Sequence, residues 1–299
     1  MPRPIDQLAR FDPFAGRDGD GLGYVLMDVF TDTPLQGNPL AVFTDARGLD
    51  APRMQAIARE LNISESVFAL PAERTGEMRV RIFTPSSELP FAGHPVLGAG
   101  IVCGLALGVS ELTLETQAGD VPLALELAQG RPPSGTMSQP VPRWRDYERA
   151  DELLRALGVG SSGLPVQAYV NGPTHIYVEL EDAAAVSALR PDIRGIAELG
   201  EVGVSCFARA GAHWRTRMFA PGLGVPEDPA TGSAAGPLAV HLARHGRIAF
   251  GERIDIRQGL EIGRPSLLAA RADGTADAVE RVQVMGAAVL IARARMHTG

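Results

Sequence analysis

The chain has 299 residues, 45% of them hydrophobic and 21% charged, with a formal net charge of −7. That length holds two domains or one large one, and the composition excludes disorder over most of the chain. The acidic balance argues against nucleic-acid phosphate as a partner. Two cysteines exclude a disulfide framework and a cysteine-rich zinc site, and the lack of a long apolar run predicts no membrane span.

Residues 1–23 alternate charges (Arg3, Asp6, Arg10, Asp12, Arg17, Asp18, Asp20) without an apolar segment. They are expected to form a loose arm and not a targeting signal, which makes a cytoplasmic location the default. From Tyr24 the pattern turns regular. Val25, Met27 and Val29 alternate as in a strand, Pro34 to Pro39 forms a turn, and Leu40 to Thr44 returns. Met54, Ile57, Ala58 and Leu61 have helical spacing over Ala51–Leu61, and Ser66–Leu70 and Met78–Phe83 read as strands. Gly93-His94-Pro95 opens a helix through Leu107 that is apolar on every side, which predicts complete burial. Alternation over Glu111–Glu115 and Val121–Leu127 predicts an antiparallel pair, and the prolines of Arg131–Pro142 mark a linker. The expected domains are therefore 24–140 and 141–299.

In the second domain a short helix over Asp151–Leu157 ends at Gly158. Val166–Val170 and His175–Leu180 are strands around a turn at Asn171-Gly172-Pro173, followed by strands at Val202–Ala208 and Trp214–Phe219. A helix over Ala234–His245 closes at Gly246. Arg81-Ile82-Phe83-Thr84-Pro85, then Gly93-His94 and a buried helix, is echoed by Arg217-Met218-Phe219-Ala220-Pro221, then Gly232-Ser233 and a second such helix. The echo predicts an internal duplication.

Several residue types in this frame can carry chemistry. A helix start offers unpaired N–H groups and the positive end of a dipole, and a glycine there lets a ligand approach. Gly93-His94 and Gly232-Ser233 are either two halves of an anion site or an ordinary loop residue and N-cap. Glu65, between a helix and an apolar strand, is either a surface charge or a half-buried general base. Asp228, in the proline-bounded loop Pro226-Glu227-Asp228-Pro229, is either a turn acid or a fixed site acid. His241 and His245 are expected on a solvent-facing helix stripe, with no third metal ligand. Cys103 and Cys206 are expected to be packing residues.

Six segments then identify a family: Asp28-Val29-Phe30, Gly37-Asn38-Pro39-Leu40-Ala41-Val42, Ile57-Ala58-Arg59-Glu60 with Asn62 and Ser64-Glu65, Phe83-Thr84-Pro85, Glu88-Leu89-Pro90-Phe91-Ala92-Gly93-His94-Pro95, and Glu227-Asp228-Pro229-Ala230-Thr231-Gly232-Ser233-Ala234. From Tyr24 to the C-terminus the chain resembles the PhzF-like isomerases of phenazine biosynthesis. The resemblance implies an α+β, diaminopimelate epimerase-like fold: two pseudo-symmetric domains, each a β-barrel-like sheet around a central helix, with the active site lying between them in a homodimeric protein. It implies a cofactor-independent isomerase, without metal, acting on a small amino or hydroxy carboxylate such as trans-2,3-dihydro-3-hydroxyanthranilate. Glu65 would move the proton. His94 and Asp228 would hold the hydroxyl and amino groups, and Ser233 with the backbone at Gly93 and Gly232 would bind the carboxylate. A two-cysteine racemase is disfavoured, since neither Cys103 nor Cys206 stands at the motif positions. A protein that binds a metabolite without turning it over, and a racemase pairing Glu65 with Asp228, are the alternatives. Ile63 and Ser66 stand where leucine and threonine are commoner in the family.

Overall fold

The computed structural model describes residues 4–9 and 21–297. Of the expected loose arm, 1–3 and 10–20 lie outside the described residues. The remainder is ordered: Pro4–Ala9 is a helix, α1, with Ile5 and Leu8 buried, and residues 22 and 23 already belong to a strand. The chain divides into two compact units, Met1–Ser138 with Met285–Gly299, and Gln139–Val284. The division falls inside the proline-rich stretch read as a linker. The C-terminal segment returns to the first unit instead of ending in the second. No helix of the described residues is long and apolar enough to cross a membrane.

The first unit runs β1 (Leu22–Val29), β2 (Asn38–Phe43), α2 (Ala51–Leu61), β3 (Glu65–Leu70), β4 (Met78–Phe83), β5 (Glu88–Leu89), α3 (Gly93–Leu107), β6 (Glu111–Thr116), β7 (Gly119–Glu126) and β8 (Ser134–Gln139). β1–β2, β3–β4, β6–β7 and β7–β8 pair antiparallel, while β2–β3 and β4–β6 pair parallel. Each parallel step needs a crossover, and α2 and α3 supply them. The chain's last strand, Val279–Met296, lies antiparallel to β1, and its Ala288 N–H donates to Pro133 O at 2.9 Å, which brings the sheet round on itself. α3 fills the interior and α1 packs on it. A β-carbon at Gly98, Gly100 or Gly104 would collide with Leu40, Leu123 or Leu125, so the glycines let the strands close on the helix.

α2 covers the outer face of the sheet. Asp50 caps it by accepting from the Arg53 N–H at 2.9 Å, and Met54, Ile57 and Ala58 pack against an aromatic layer in which Phe43 stacks on Phe68 at 4.7 Å. Asn62 ends the helix in the left-handed region (φ 49°) and turns the chain into β3, whose first residue is Glu65.

The second unit repeats this order. It runs β9 (Arg143–Asp146), α4 (Ala150–Leu157), β10 (Gln167–Val170), β11 (Thr174–Glu179), α5 (Ala183–Ala188), α6 (Ile193–Ala197), β12 (Val202–Ala210), β13 (His213–Ala220), β14 (Val225–Asp228), α7 (Gly232–Arg244), β15 (Arg253–Gln258), β16 (Ser266–Gly274) and the start of β17 (Val279–Met296). β10–β11, β12–β13 and β15–β16 are antiparallel, and β11–β12 and β13–β15 parallel, as in the first unit. α7 is the central helix here.

The duplication reaches side-chain detail. Arg81 grips Glu88 through two bonds of 2.7 and 2.6 Å and lies over Phe83, 5.2 Å from its centroid. Arg217 grips Glu227 through two bonds of 2.8 Å and lies over Phe219 at 5.0 Å. From these glutamates the two segments run in step, Glu88 to His94 against Glu227 to Ser233.

Two expectations about single residues fare differently. Cys103 and Cys206 are buried in the two cores, and burial pushes both thiols up to about 12, so they are packing residues. The solvent-facing stripe is wrong. His241 is fully buried among Tyr169, Tyr177 and Phe207 with Nδ1 3.1 Å from the Tyr169 hydroxyl, and His245 packs on its ring and reaches Gln167 at 3.0 Å.

Candidate active site

In the first unit, strand pairing brings together residues that are distant in sequence. β3 starts at Glu65, and α3 starts at Gly93 with His94 as its second residue. Glu65 Oε2 lies 3.4 Å from His94 Nε2, and the other ring nitrogen, Nδ1, lies 3.2 Å from Asn38 Nδ2 at the start of β2. The His94 side chain is almost wholly buried. Burial pushes its imidazole down to about 3, against an opposing hydrogen bond to the Pro39 backbone. The contact with Glu65 is therefore a carboxyl–neutral imidazole pair and not an ion pair. Glu65 keeps 14% of its side chain exposed, so it combines a fixed position with access. No side chain caps α3, whose first residues are Gly93, His94 and Pro95.

In the second unit Asp228 is buried at the end of β14. Its Oδ2 accepts from the Thr231 hydroxyl at 2.5 Å, and that hydroxyl in turn accepts from Gln258 Nε2 at 3.0 Å. Gln258 Nε2 also donates to the Asp228 carbonyl at 2.7 Å. Thr231 is the residue before α7, where a threonine usually caps the helix by accepting from its first N–H groups. Here its hydroxyl is spent on Asp228, and no side chain caps α7. Gly232 and Ser233 thus open the helix with their backbone donors uncovered by a cap.

The carbonyls of that first turn are held from outside. Pro237 lies inside α7 and has no N–H for the Ser233 carbonyl four residues earlier. Asn171 Nδ2 replaces it, donating to Ser233 O at 2.9 Å. Gln139 Nε2 donates to Gly232 O at 2.8 Å and the Tyr177 hydroxyl to Ala234 O at 2.7 Å. The Ser233 hydroxyl itself meets His175 Nε2 at 3.0 Å.

All six residues singled out from sequence therefore stand where strand or loop meets the start of a central helix: Glu65, Gly93 and His94 in one unit, and Asp228, Gly232 and Ser233 in the other. The side chains that hold them, namely Asn38, Asn171, His175, Thr231 and Gln258, do not stand out by type or spacing in the sequence. Gln258 did leave a signal. It follows Ile254 and Ile256 at the same parity of β15, a polar residue on an apolar face.

The two units are not chemically equivalent. Phe83 pairs with Ser66, next to Glu65, while the corresponding Phe219 pairs with Val204, next to Gly203. Leu40 pairs with Glu65, and His175 with Gly203. The second unit thus has glycine where the first has its carboxylate. At the next matched position, Asp228 corresponds to Leu89. The two acids thus stand at non-equivalent positions of the repeat, Glu65 at the start of β3 and Asp228 at the end of β14.

The profile of the family described as phenazine biosynthesis-like protein, PhzC-PhzF, matches residues 27–294. The chain belongs to this family. Among the relatives of this PhzF-like chain, the trans-2,3-dihydro-3-hydroxyanthranilate isomerase of Pseudomonas aeruginosa is 52% identical over 274 residues, which is 92% of this chain and 99% of that protein. The crystal structure of a PhzF-family phenazine biosynthesis protein from Bacillus anthracis superposes with a TM-score of 0.80 at 23% identity, covering 93% of this chain and 99% of that one. A hydroxyproline epimerase from Agrobacterium vitis superposes with a TM-score of 0.67 at 14% identity, covering 93% and 91%. At such identities the likeness carries the fold, which is diaminopimelate epimerase-like with two units of one topology. The PhzF-like chain is an isomerase.

Proposed function

We propose that this isomerase acts on trans-2,3-dihydro-3-hydroxyanthranilate or a close amino or hydroxy carboxylate, with Glu65 as its only proton-transfer base. The observation that carries the proposal is Glu65 held 3.4 Å from a buried, neutral His94 while the matched position of the other repeat is Gly203. The substrate of the Pseudomonas aeruginosa relative supports the choice of compound.

The carbon 3 proton of such a ring is weakly acidic, because the electrons left behind spread through the conjugated system. Its removal requires a base that is close, oriented and poorly solvated. Glu65 takes that proton as the C3–H bond breaks. The electron pair moves along the ring to carbon 1, where Glu65 returns a proton, and the resulting enol relaxes to the ketone. His94, neutral, stands beside Glu65 and offers Nε2 to the substrate hydroxyl without adding a charge. Asp228, oriented by Thr231 and Gln258, takes the amino group. The Ser233 hydroxyl and the backbone N–H groups at Gly93 and Gly232 take the carboxylate. On this reading the protein works in the cytoplasm as a homodimer without metal or organic cofactor, as the family resemblance implies. A monomer in sedimentation velocity would contradict the dimer.

Incubating the protein with trans-2,3-dihydro-3-hydroxyanthranilate and following the ring by NMR tests the reading. It predicts loss of the carbon 3 hydrogen and appearance of one at carbon 1. Saturable binding without conversion would make the protein a metabolite binder, and inversion at carbon 3 without the shift would make it a racemase.

A further inference from the structure

We infer that His175 is a positioning residue that fixes the direction of the Ser233 hydroxyl, so that the serine donates its proton to an anionic oxygen of the substrate. The inference rests on the reading of Ser233 as a carboxylate ligand and adds the group that makes it one.

His175 lies on β11, almost wholly buried, with Nε2 3.0 Å from Ser233 Oγ. Its other ring nitrogen, Nδ1, has no hydrogen-bond partner among the described residues and faces the backbone of Gly203. Burial pushes the imidazole down to about 4, so at neutral pH the ring carries one N–H and one lone pair. Leaving a buried N–H without an acceptor costs more than leaving a lone pair idle, so the proton belongs on Nε2. Nε2–H then donates to Ser233 Oγ. A serine hydroxyl has a single proton, and with its oxygen already accepting, that proton is available for a further acceptor. The described residues offer it no other partner. With the opposite tautomer Ser233 would donate to Nε2 and present only lone pairs, which repel a carboxylate.

The repeat gives this arrangement a cause. A β-carbon on Gly203 would stand 2.9 Å from His175 Nδ1, so the imidazole fits only because that position is glycine. In the first unit the matched residue is Glu65, and Leu40 stands at the His175 position. One repeat uses the strand pair for a base, and the other uses it to orient a hydroxyl.

Two measurements on the full chain test the inference. Long-range proton–nitrogen NMR on protein labelled with ¹⁵N-histidine is expected to report His175 as neutral with the proton on Nε2. An Nδ1–H tautomer, or an imidazolium at pH 7, overturns the inference. In steady-state kinetics with trans-2,3-dihydro-3-hydroxyanthranilate, His175→Phe and Ser233→Ala should each raise KM about tenfold with a smaller effect on kcat. The double variant should be no worse than Ser233→Ala alone, because His175 acts only through Ser233. His175→Gln, which keeps an N–H near Oγ, should recover most of the affinity, and Gly203→Ala, which intrudes on the ring, should lose it. Independent, multiplying effects in the double variant would assign His175 a merely structural role. If Ser233→Ala raises KM and His175→Phe does not, the inference fails alone. If Ser233→Ala leaves KM unchanged, the carboxylate reading fails and the inference falls with it.

Discussion

His94 Nε2 sits 3.4 Å from Glu65 Oε2, where a protonated ring would form an ion pair, yet burial pushes that ring down to about 3. A cation there would hold Glu65 as a bound carboxylate and blunt it as a base, and a neutral ring leaves its basicity in place. The acid limb of kcat/KM between pH 5 and 8 should therefore owe nothing to His94. His94→Asn is predicted to lower kcat while leaving the midpoint of that limb unmoved, and a midpoint that shifts in a pH–rate profile would contradict this. The candidate residues stood out in the sequence where the chemical type was unusual for its place: a glutamate opening an apolar strand, an aspartate between prolines, a glycine before a buried helix. The partners did not. Asn38 on β2 reaches His94 on α3, and His175 on β11 reaches Ser233 on α7, because a strand packs on a helix far away in the chain, which no local pattern records.

Among the elements, α7 shows how a helix start is shaped for a purpose. Pro237 removes the donor for Ser233 O, and Asn171 supplies another at 2.9 Å. Asn171→Ala should cost about 1–3 kcal/mol of unfolding free energy, the penalty for a buried acceptor left without a donor. In a Pro237→Ala background the loss should be smaller, since the backbone N–H restored by that substitution can then reach Ser233 O. Urea denaturation of the four proteins checks the cycle, and equal losses in both backgrounds would refute the compensation. The central helix α3 was legible because apolar residues on every side leave it no polar face, whereas the histidines of α7 hid that its last turns are buried as well. The proline-rich stretch read as a linker holds the strand β8, whose alternation its prolines and small residues mask. The strands β16 and β17 went unread because they carry alanines and arginines with an irregular burial pattern, while β15 went unread despite clean alternation.

Across the whole molecule, three histidines are buried and neutral: His94 and His241, each pushed down to about 3, and His175, pushed down to about 4, all chiefly by burial. Unfolding exposes them, and below the ordinary histidine value of about 6.5 the unfolded chain binds protons that the folded chain refuses. Their contribution to stability is therefore present above that value and lost as pH falls toward 4 and 3. Between pH 6.5 and 5 each loses on the order of 1–2 kcal/mol. Urea midpoints should fall steeply over that interval, and His241→Phe should make the fall shallower by one proton's worth. The asymmetry between repeats, a carboxylate at Glu65 matched by glycine at Gly203, leaves one base to move the proton. The single-turnover rate of carbon 3 proton removal by Glu65→Gln, with substrate affinity determined on the same protein, decides whether that base is Glu65. A rate at least about a thousandfold below the unsubstituted enzyme is expected, with affinity little changed. A variant that still removes the proton at more than about a tenth of the normal rate would place the base elsewhere.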